Sequence, residues 1–157
     1  MLTTVIGAFP KPQYLEITDW FAADGGTDTK RPTSKYLEEI SKMGKEAESI
    51  FMKATEEIIN DQIECGIDII TDGEVRRENY IHYHCRHLSG IDFTKLTEKS
   101  ARTGNYNCWL PTIVDKIEAR ESFLEFDFLK AQKISTKPIK ITIPGPMTIS
   151  DTVANSY

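Results

Sequence analysis

The stretch GIDIITDGEVRRENY, Gly66–Tyr80, constrains this chain more than any other. Gly66 is placed to end a helix, and a short buried strand of apolar and β-branched residues follows and runs into Asp72-Gly73-Glu74. Carboxylates at the C-terminal mouth of a parallel strand are where α/β folds carry their chemistry. Gly73 lets the backbone turn sharply, or lets a ligand come close, between two acids that need water or a cation. Arg76 and Arg77 can hold such acids ionised. An ordinary strand-to-helix turn with solvated charges would carry the same letters.

The remaining bounds come from composition. With 157 residues, 39% of them hydrophobic and 27% charged, the chain is one domain able to bury a core. A formal charge of −5 and the lack of any long Lys/Arg run argue against a nucleic-acid partner. No segment reaches membrane-spanning length, and MLTTVIGAFP has neither the basic start nor the apolar centre of a signal peptide. Cys65, Cys85 and Cys108 are few, odd in number and far apart, as expected of reduced thiols in a cytoplasmic protein.

Along the chain, Thr3–Ile6 reads as a short buried strand ended by Gly7-Ala8-Phe9-Pro10. Gly7 there serves either a ligand meeting backbone N–H groups or a plain turn. Lys11–Thr33 is a long excursion with a helical turn around Leu15–Phe21, and Asp24–Asp28 lacks the feeding strand and the Lys-Ser/Thr of a phosphate loop. Lys45–Cys65 is a helix with Phe51, Ala54, Ile58 and Cys65 on one stripe, which makes Cys65 a core thiol. A second helix covers Ser122–Ser135, with Leu124, Phe128 and Ala131 on its stripe, and Pro138–Ile143 is a third strand. Strands alternating with helices imply βαβ units and a parallel sheet. Between them, Leu88–Glu121 has turn signals at Ser89-Gly90 and Gly104-Asn105 and an extended run Cys108–Ile117. It reads as a hairpin-like insertion reaching over the top of the sheet.

Two groupings could carry chemistry. IHYHCRH sets out His82, His84, Cys85 and His87. On a helix, residues two apart point about 200° from each other, so His82 and His84 cannot share an ion. The i,i+3 pairs would need two further ligands. Ile81, Cys85 and Leu88 form the apolar stripe, which leaves the imidazoles on polar edges and no metal site. Asn105-Tyr-Asn-Cys-Trp109 could wall a flat heteroaromatic ligand, or could pack a hairpin. No nucleophile elbow and no Rossmann glycine fingerprint is present.

Three motifs in order, TTVIGAFP, ATEEIINDQIECGIDIITDGEVRREN and ITIPGPMTI, resemble the beginning of the catalytic barrel of the cobalamin-independent methionine synthases. The resemblance runs nearly end to end. It implies an α/β fold, the first strands of a (β/α)₈ TIM-type barrel, with the hairpin-like insertion. It also implies transfer of a methyl group from N5 of methyltetrahydrofolate to the thiolate of homocysteine, activated by zinc. By resemblance Ile6, Gly7 and Ala8 hold the homocysteine carboxylate, although Ala8 stands where the family has serine. Glu74 binds the amino group, with Asp72 and Arg77 shaping its charge. Cys108 lies beside the pterin with Asn107 and Trp109, Asn107 replacing a frequent arginine, and Thr152 stands where a tryptophan is usual.

A barrel of this type needs about 250 residues. Residues 1–157 are therefore expected to form the N-terminal half of such a domain, incomplete and inactive alone. The zinc ligands, a His-x-Cys pair, a glutamate and a distant cysteine, belong to later strands of the family and are not in this chain. Open sheet edges at the first and third strands favour self-association. Two alternatives stand beside this reading. One is a thiol alkyltransferase, lyase or decarboxylase of the same superfamily, using another thiol or methyl donor. The other is a non-catalytic half-barrel that binds or assembles.

Overall fold

The structure, a computed structural model, describes residues 1–18, 32–101 and 106–157. The Asp24–Asp28 loop, the end of the Leu15–Phe21 turn and the Gly104-Asn105 turn lie outside the described residues. The elements are α1 (Pro32–Met43), a 3₁₀ turn (Gly44–Glu46), α2 (Ala47–Glu64), β1 (Ile70–Thr71), α3 (Tyr80–Cys85), β2 (Leu88–Ala101), β3 (Tyr106–Ala119), α4 (Leu124–Ile134), β4 (Ile139–Lys140), α5 (Pro146–Thr152) and β5 (Ala154–Asn155). The fold is α/β with a parallel and a mixed sheet, and among the described residues the strands close into no barrel. The chain divides into two compact units.

The first unit contains Met1–Ile17, Glu39–Arg77 and Ser122–Thr142. Its spine is α2, where Phe51, Ala54, Thr55, Ile58, Ile59 and Gln62 form the buried face. The helix stops at Gly66, whose φ of 79° only glycine adopts without strain. Gly66 N–H donates to Ile63 O and Ile67 N–H to Gln62 O, the paired bonds of a Schellman cap. The chain then enters β1, which pairs in parallel with β4, Ile70 opposite Ile139. Ile59, Ile70, Ala131 and Ile139 form the core, with Ile63, Ile67, Ile134 and Ile141 against it. Each fully buried isoleucine contributes about 1.5–3 kcal/mol.

Three expectations fail in this unit. Thr3–Ile6 is not a buried strand: it makes a single parallel bridge, Thr4 to Ile69, and Ile6 is 80% exposed. Side chains replace the missing ladder, since Thr3 N–H and Oγ1–H both donate to Asp68 Oδ2, at 2.7 and 2.8 Å. Cys65 is exposed, because as the C-cap it lies past the last packed turn, and Gln62 holds the buried place before it. On α4 the inward positions are Asp127 and Ala131, and Phe128 faces out.

The second unit contains Thr18–Glu38, Glu78–Glu121 and Ile143–Tyr157. Asn79 caps α3, its side chain accepting from the N–H groups of Ile81 and His82. The expected hairpin is present, β2 and β3 running antiparallel, with β5 added in parallel along β3. Ser89-Gly90 is not a turn. It is an irregularity inside β2, where the pairing slips between Ser89 and Ile91. A second slip falls between Asp92 and Thr97, opposite Pro111, which has no N–H to give a ladder. Asp92 Oδ1 organises that bulge by accepting from Thr94 N–H, Thr94 Oγ1–H and Lys95 N–H. Ile81, Cys85 and Val153 pack with Ile91, Phe93, Ile113 and Ile149. No helix among the described residues is long and apolar enough to cross a membrane.

Candidate functional site

In the first unit, β1 delivers its side chains to a turn that is bonded from several sides. Gln62, on the apolar face of α2, acts as a surrogate strand partner. Its Nε2 donates to Thr71 O and its Oε1 accepts from Thr71 N–H, both at 2.9 Å. The next residues, Asp72-Gly73-Glu74, are buried, Asp72 at 4% and Glu74 at 5% exposure. Gly73 has φ 67°, and a Cβ there would stand 2.6 Å from Ile58 Cγ2, so the turn is pressed onto α2. Glu74 follows with φ 55°, the one non-glycine residue among those described in the left-handed region. Such a conformation costs about 1–2 kcal/mol and points to a position shaped by use.

The buried Arg77 guanidinium faces both acids. Its Nη1 lies 3.5 Å from Glu74 Oε1 and its Nη2 4.0 Å from Asp72 Oδ2. Nη1 also donates to Thr142 O at 2.9 Å and to Thr142 Oγ1 at 3.2 Å, and Thr142 Oγ1–H donates to Glu74 Oε1 at 2.7 Å. Lys11 Nζ donates to Arg77 O. Phe9 N–H donates to Gly73 O at 3.0 Å, so the Ile6–Gly7–Ala8 turn lies beside the acid turn. Gly7 has φ 92° and open space around the position of a Cβ, which leaves its backbone approachable.

Arg76, expected beside the same acids, is engaged elsewhere. It holds Glu48 through Nη1 and Nη2 at 2.9 and 3.0 Å and lies over the rings of Phe51 and Phe126. Burial pushes the Glu48 carboxyl up, but hydrogen bonds from Arg76 and Lys130 outweigh it and leave its pKa below the usual value. This pair fastens the turn to α2.

The structure brings Asp72, Glu74 and Arg77 together with the Ile6–Ala8 turn. It does not bring Asn107, Cys108 and Trp109 onto one face, because neighbouring residues of β3 point to opposite sides. Cys108 is buried and its thiol donates to Lys99 O, while Asn107 is exposed and donates to Glu98. Burial raises the Cys108 pKa, against a smaller lowering by Lys99. Sequence reasoning passed over Thr142 and Gln62. Thr142 could have been found as the strand-end counterpart of Asp72, and Gln62 as the one amide on an apolar stripe.

The histidines differ from expectation. His82 and His84 are buried, at 6% and 5% exposure, not on polar edges. In the short helix α3 the residues from Ile81 to Cys85 are all buried, and Tyr80 at its start is exposed. His84 Nδ1–H donates to Tyr80 O, and His87 Nδ1 meets Glu121 Oε1 at 3.1 Å. His82 stacks edge-on to Phe93, and burial pulls its pKa down to about 4. The unfolded chain, with an ordinary histidine near 6.5, therefore binds the extra proton first as pH falls. Stability is complete above pH 6.5 and is lost toward pH 4, by about 2 kcal/mol between pH 7 and pH 5. Urea titrations across that range should show the slope, and His82→Phe should remove His82's share of it, leaving what His87, whose pKa burial also lowers, contributes.

Among the described residues no three His, Cys, Asp or Glu side chains gather around a common point. The His82, His84 and His87 environments above also differ from one another. These residues do not fit a zinc site, and no step below passes through a metal.

A parallel βαβ unit with buried acids and an arginine beyond its strand ends is the arrangement of α/β proteins that take ligands at the carboxyl ends of their strands. The sequence profile described as "Cobalamin-independent synthase, Catalytic domain" matches residues 1–155, and the chain belongs to that family. Relatives named methionine synthase, from Saccharolobus solfataricus and Sulfolobus acidocaldarius, are each 31% identical over 99% of this chain. The chain spans 42% and 41% of their lengths. A B12-independent methionine synthase from Shewanella sp. W3-18-1, solved in complex with selenomethionine, superimposes with a TM-score of 0.76 at 29% identity. That match covers 99% of this chain and 41% of the other. These relatives are methionine synthases, and none of them is an alkyltransferase or a lyase by name.

Proposed function

We propose that this chain supplies the amino-acid side of a cobalamin-independent homocysteine methyltransferase, as the first strands of its catalytic barrel. The observation that carries the reading is the buried Glu74, held by Thr142 and Arg77 beside the Ile6–Ala8 turn. A buried carboxylate beside the open turn at Gly7 matches the two ends of an α-amino acid, Glu74 taking the ammonium and the Gly7 turn the carboxylate. Ala8 offers no hydroxyl, so the carboxylate would rest on backbone groups and Lys11 remains a neighbour through Arg77 O. That the Shewanella relative was solved with selenomethionine, an amino acid, supports this assignment.

The chain's own residues bind and orient. Asp72 and Arg77 fix the charge around Glu74, and Gly73 permits the close turn. Methyltetrahydrofolate as donor, for which the resemblance names Asn107, Cys108 and Trp109, and a cytoplasmic setting belong to the same proposal. Calorimetric titration with L-homocysteine tests it. Glu74→Gln, which keeps the shape and removes the charge, should weaken binding at least tenfold. Equal affinity in the variant would overturn the assignment of Glu74.

A further inference from the structure

We propose that Thr142 is a positioning residue: its hydroxyl holds Oε1 of Glu74 so that the other carboxylate oxygen, Oε2, meets the ammonium of an amino-acid ligand. This rests on the amino-acid reading above and adds a residue that the family resemblance does not assign. The direction of the hydrogen bonds follows from chemistry. A guanidinium can only donate, so Arg77 Nη1, at 3.2 Å, occupies the acceptor side of the Thr142 hydroxyl. The hydroxyl proton is thereby aimed at Glu74 Oε1, 2.7 Å away. The same Nη1 bonds Thr142 O at 2.9 Å, which fixes the residue's backbone as well as its side chain.

Oε1 thus has two neighbours, Thr142 Oγ1 and Arg77 Nη1, while Oε2 takes no hydrogen bond from the described residues. The left-handed backbone at Glu74 is pinned by Glu74 N–H to Asp72 Oδ1 and by Arg77 N–H to Glu74 O. With backbone and one oxygen both held, the carboxylate cannot rotate freely, and binding a cation loses little further side-chain freedom. Thr142 lies two residues past the end of β4 and 68 residues beyond Glu74, so it reaches the acid turn from a separate segment of the chain.

The test compares Thr142→Val, isosteric but without the hydroxyl, with Thr142→Ser, which keeps it. L-Homocysteine and its deaminated analogue 4-sulfanylbutanoate are titrated by calorimetry into each, and the ¹³C carboxyl resonance of Glu74 is followed. Thr142→Val should cut the preference for homocysteine over the analogue about tenfold and move the Glu74 resonance, while Thr142→Ser leaves both close to wild type. A purely structural role would weaken the two ligands alike. Unchanged preference and resonance in Thr142→Val overturn the proposal. A wild-type chain that takes up no homocysteine overturns the amino-acid reading itself, a different result from a binding wild type with an indifferent valine variant. Should Thr142→Val not fold, Thr142→Ala removes the same hydroxyl and is read in the same way.

Discussion

Arg77→Leu should lower the free energy of unfolding by about 3–5 kcal/mol in urea titration, the largest loss expected from any substitution at the acid turn. Leucine would fill much of the space. It would leave Asp72 and Glu74, both buried, without the cation that faces them, and Thr142 without the donor that orients its hydroxyl. Breaking one side of a buried ion pair costs more than never having had the pair. The companion variant Arg77→Leu with Asp72→Asn and Glu74→Gln removes the stranded charges too, and should recover a good part of the loss. If the single variant melted like wild type, the guanidinium would have no part in holding the turn.

Gly90→Ala should cost about 3 kcal/mol, the sum of a left-handed backbone penalty and overpacking. The φ there is +78°, and a Cβ would stand 2.4 Å from Lys116 O and 2.7 Å from Asp115 O. Those are backbone oxygens of β3, which have no rotamer to change, so the strand pairing itself must give way. Gly73 offers the instructive contrast. Its Cβ would meet a side chain, that of Ile58, and trimming Ile58 would relieve the clash while leaving the strain at φ 67°. At Gly90 no second-site trimming of a side chain can help. Amide exchange along Leu88–Ile91 and Ile113–Ala119 would show the loosened pairing, and full retention of protection there would refute this account.

Helix α2 and strand β1 were readable because each of their signals is local, whereas the expected opening strand Thr3–Ile6 was not borne out. Apolar residues at helical spacing announced α2, Gly66 announced its end, and the β-branched run ahead of Asp72-Gly73-Glu74 announced β1. The extended run Cys108–Ile117 likewise lies within β3. What escaped depends on what each element packs against. A helical wheel puts Cys65 in line with Ile58, but the helix has already capped there, and only the tertiary contacts reveal it. Phe128 and Asp127 are adjacent on α4, and the buried one is the acid, 4.0 Å from Arg76. The sequence cannot show that an arginine 51 positions earlier waits for it. His82 and His84 looked peripheral because the apolar stripe of Ile81 and Cys85 marks one face of α3, and the sequence does not show that Phe93 stands edge-on to His82 on another. Ser89-Gly90 carries turn letters, yet a positive φ serves a strand irregularity equally well. At the site, the acids and Arg77 were legible as charges near a strand end. Thr142 was not, since one hydroxyl among alternating apolar residues carries no mark until a second strand end is laid beside it.

The left-handed backbone of Glu74 has a consequence for anyone who evolves this chain in the laboratory. Asparagine or glycine would sit at that φ with less strain, so a screen that rewards heat resistance alone would drift away from glutamate. A screen that rewards ligand capture would hold on to it. The residue that wins at position 74 would report which of the two pressures was applied.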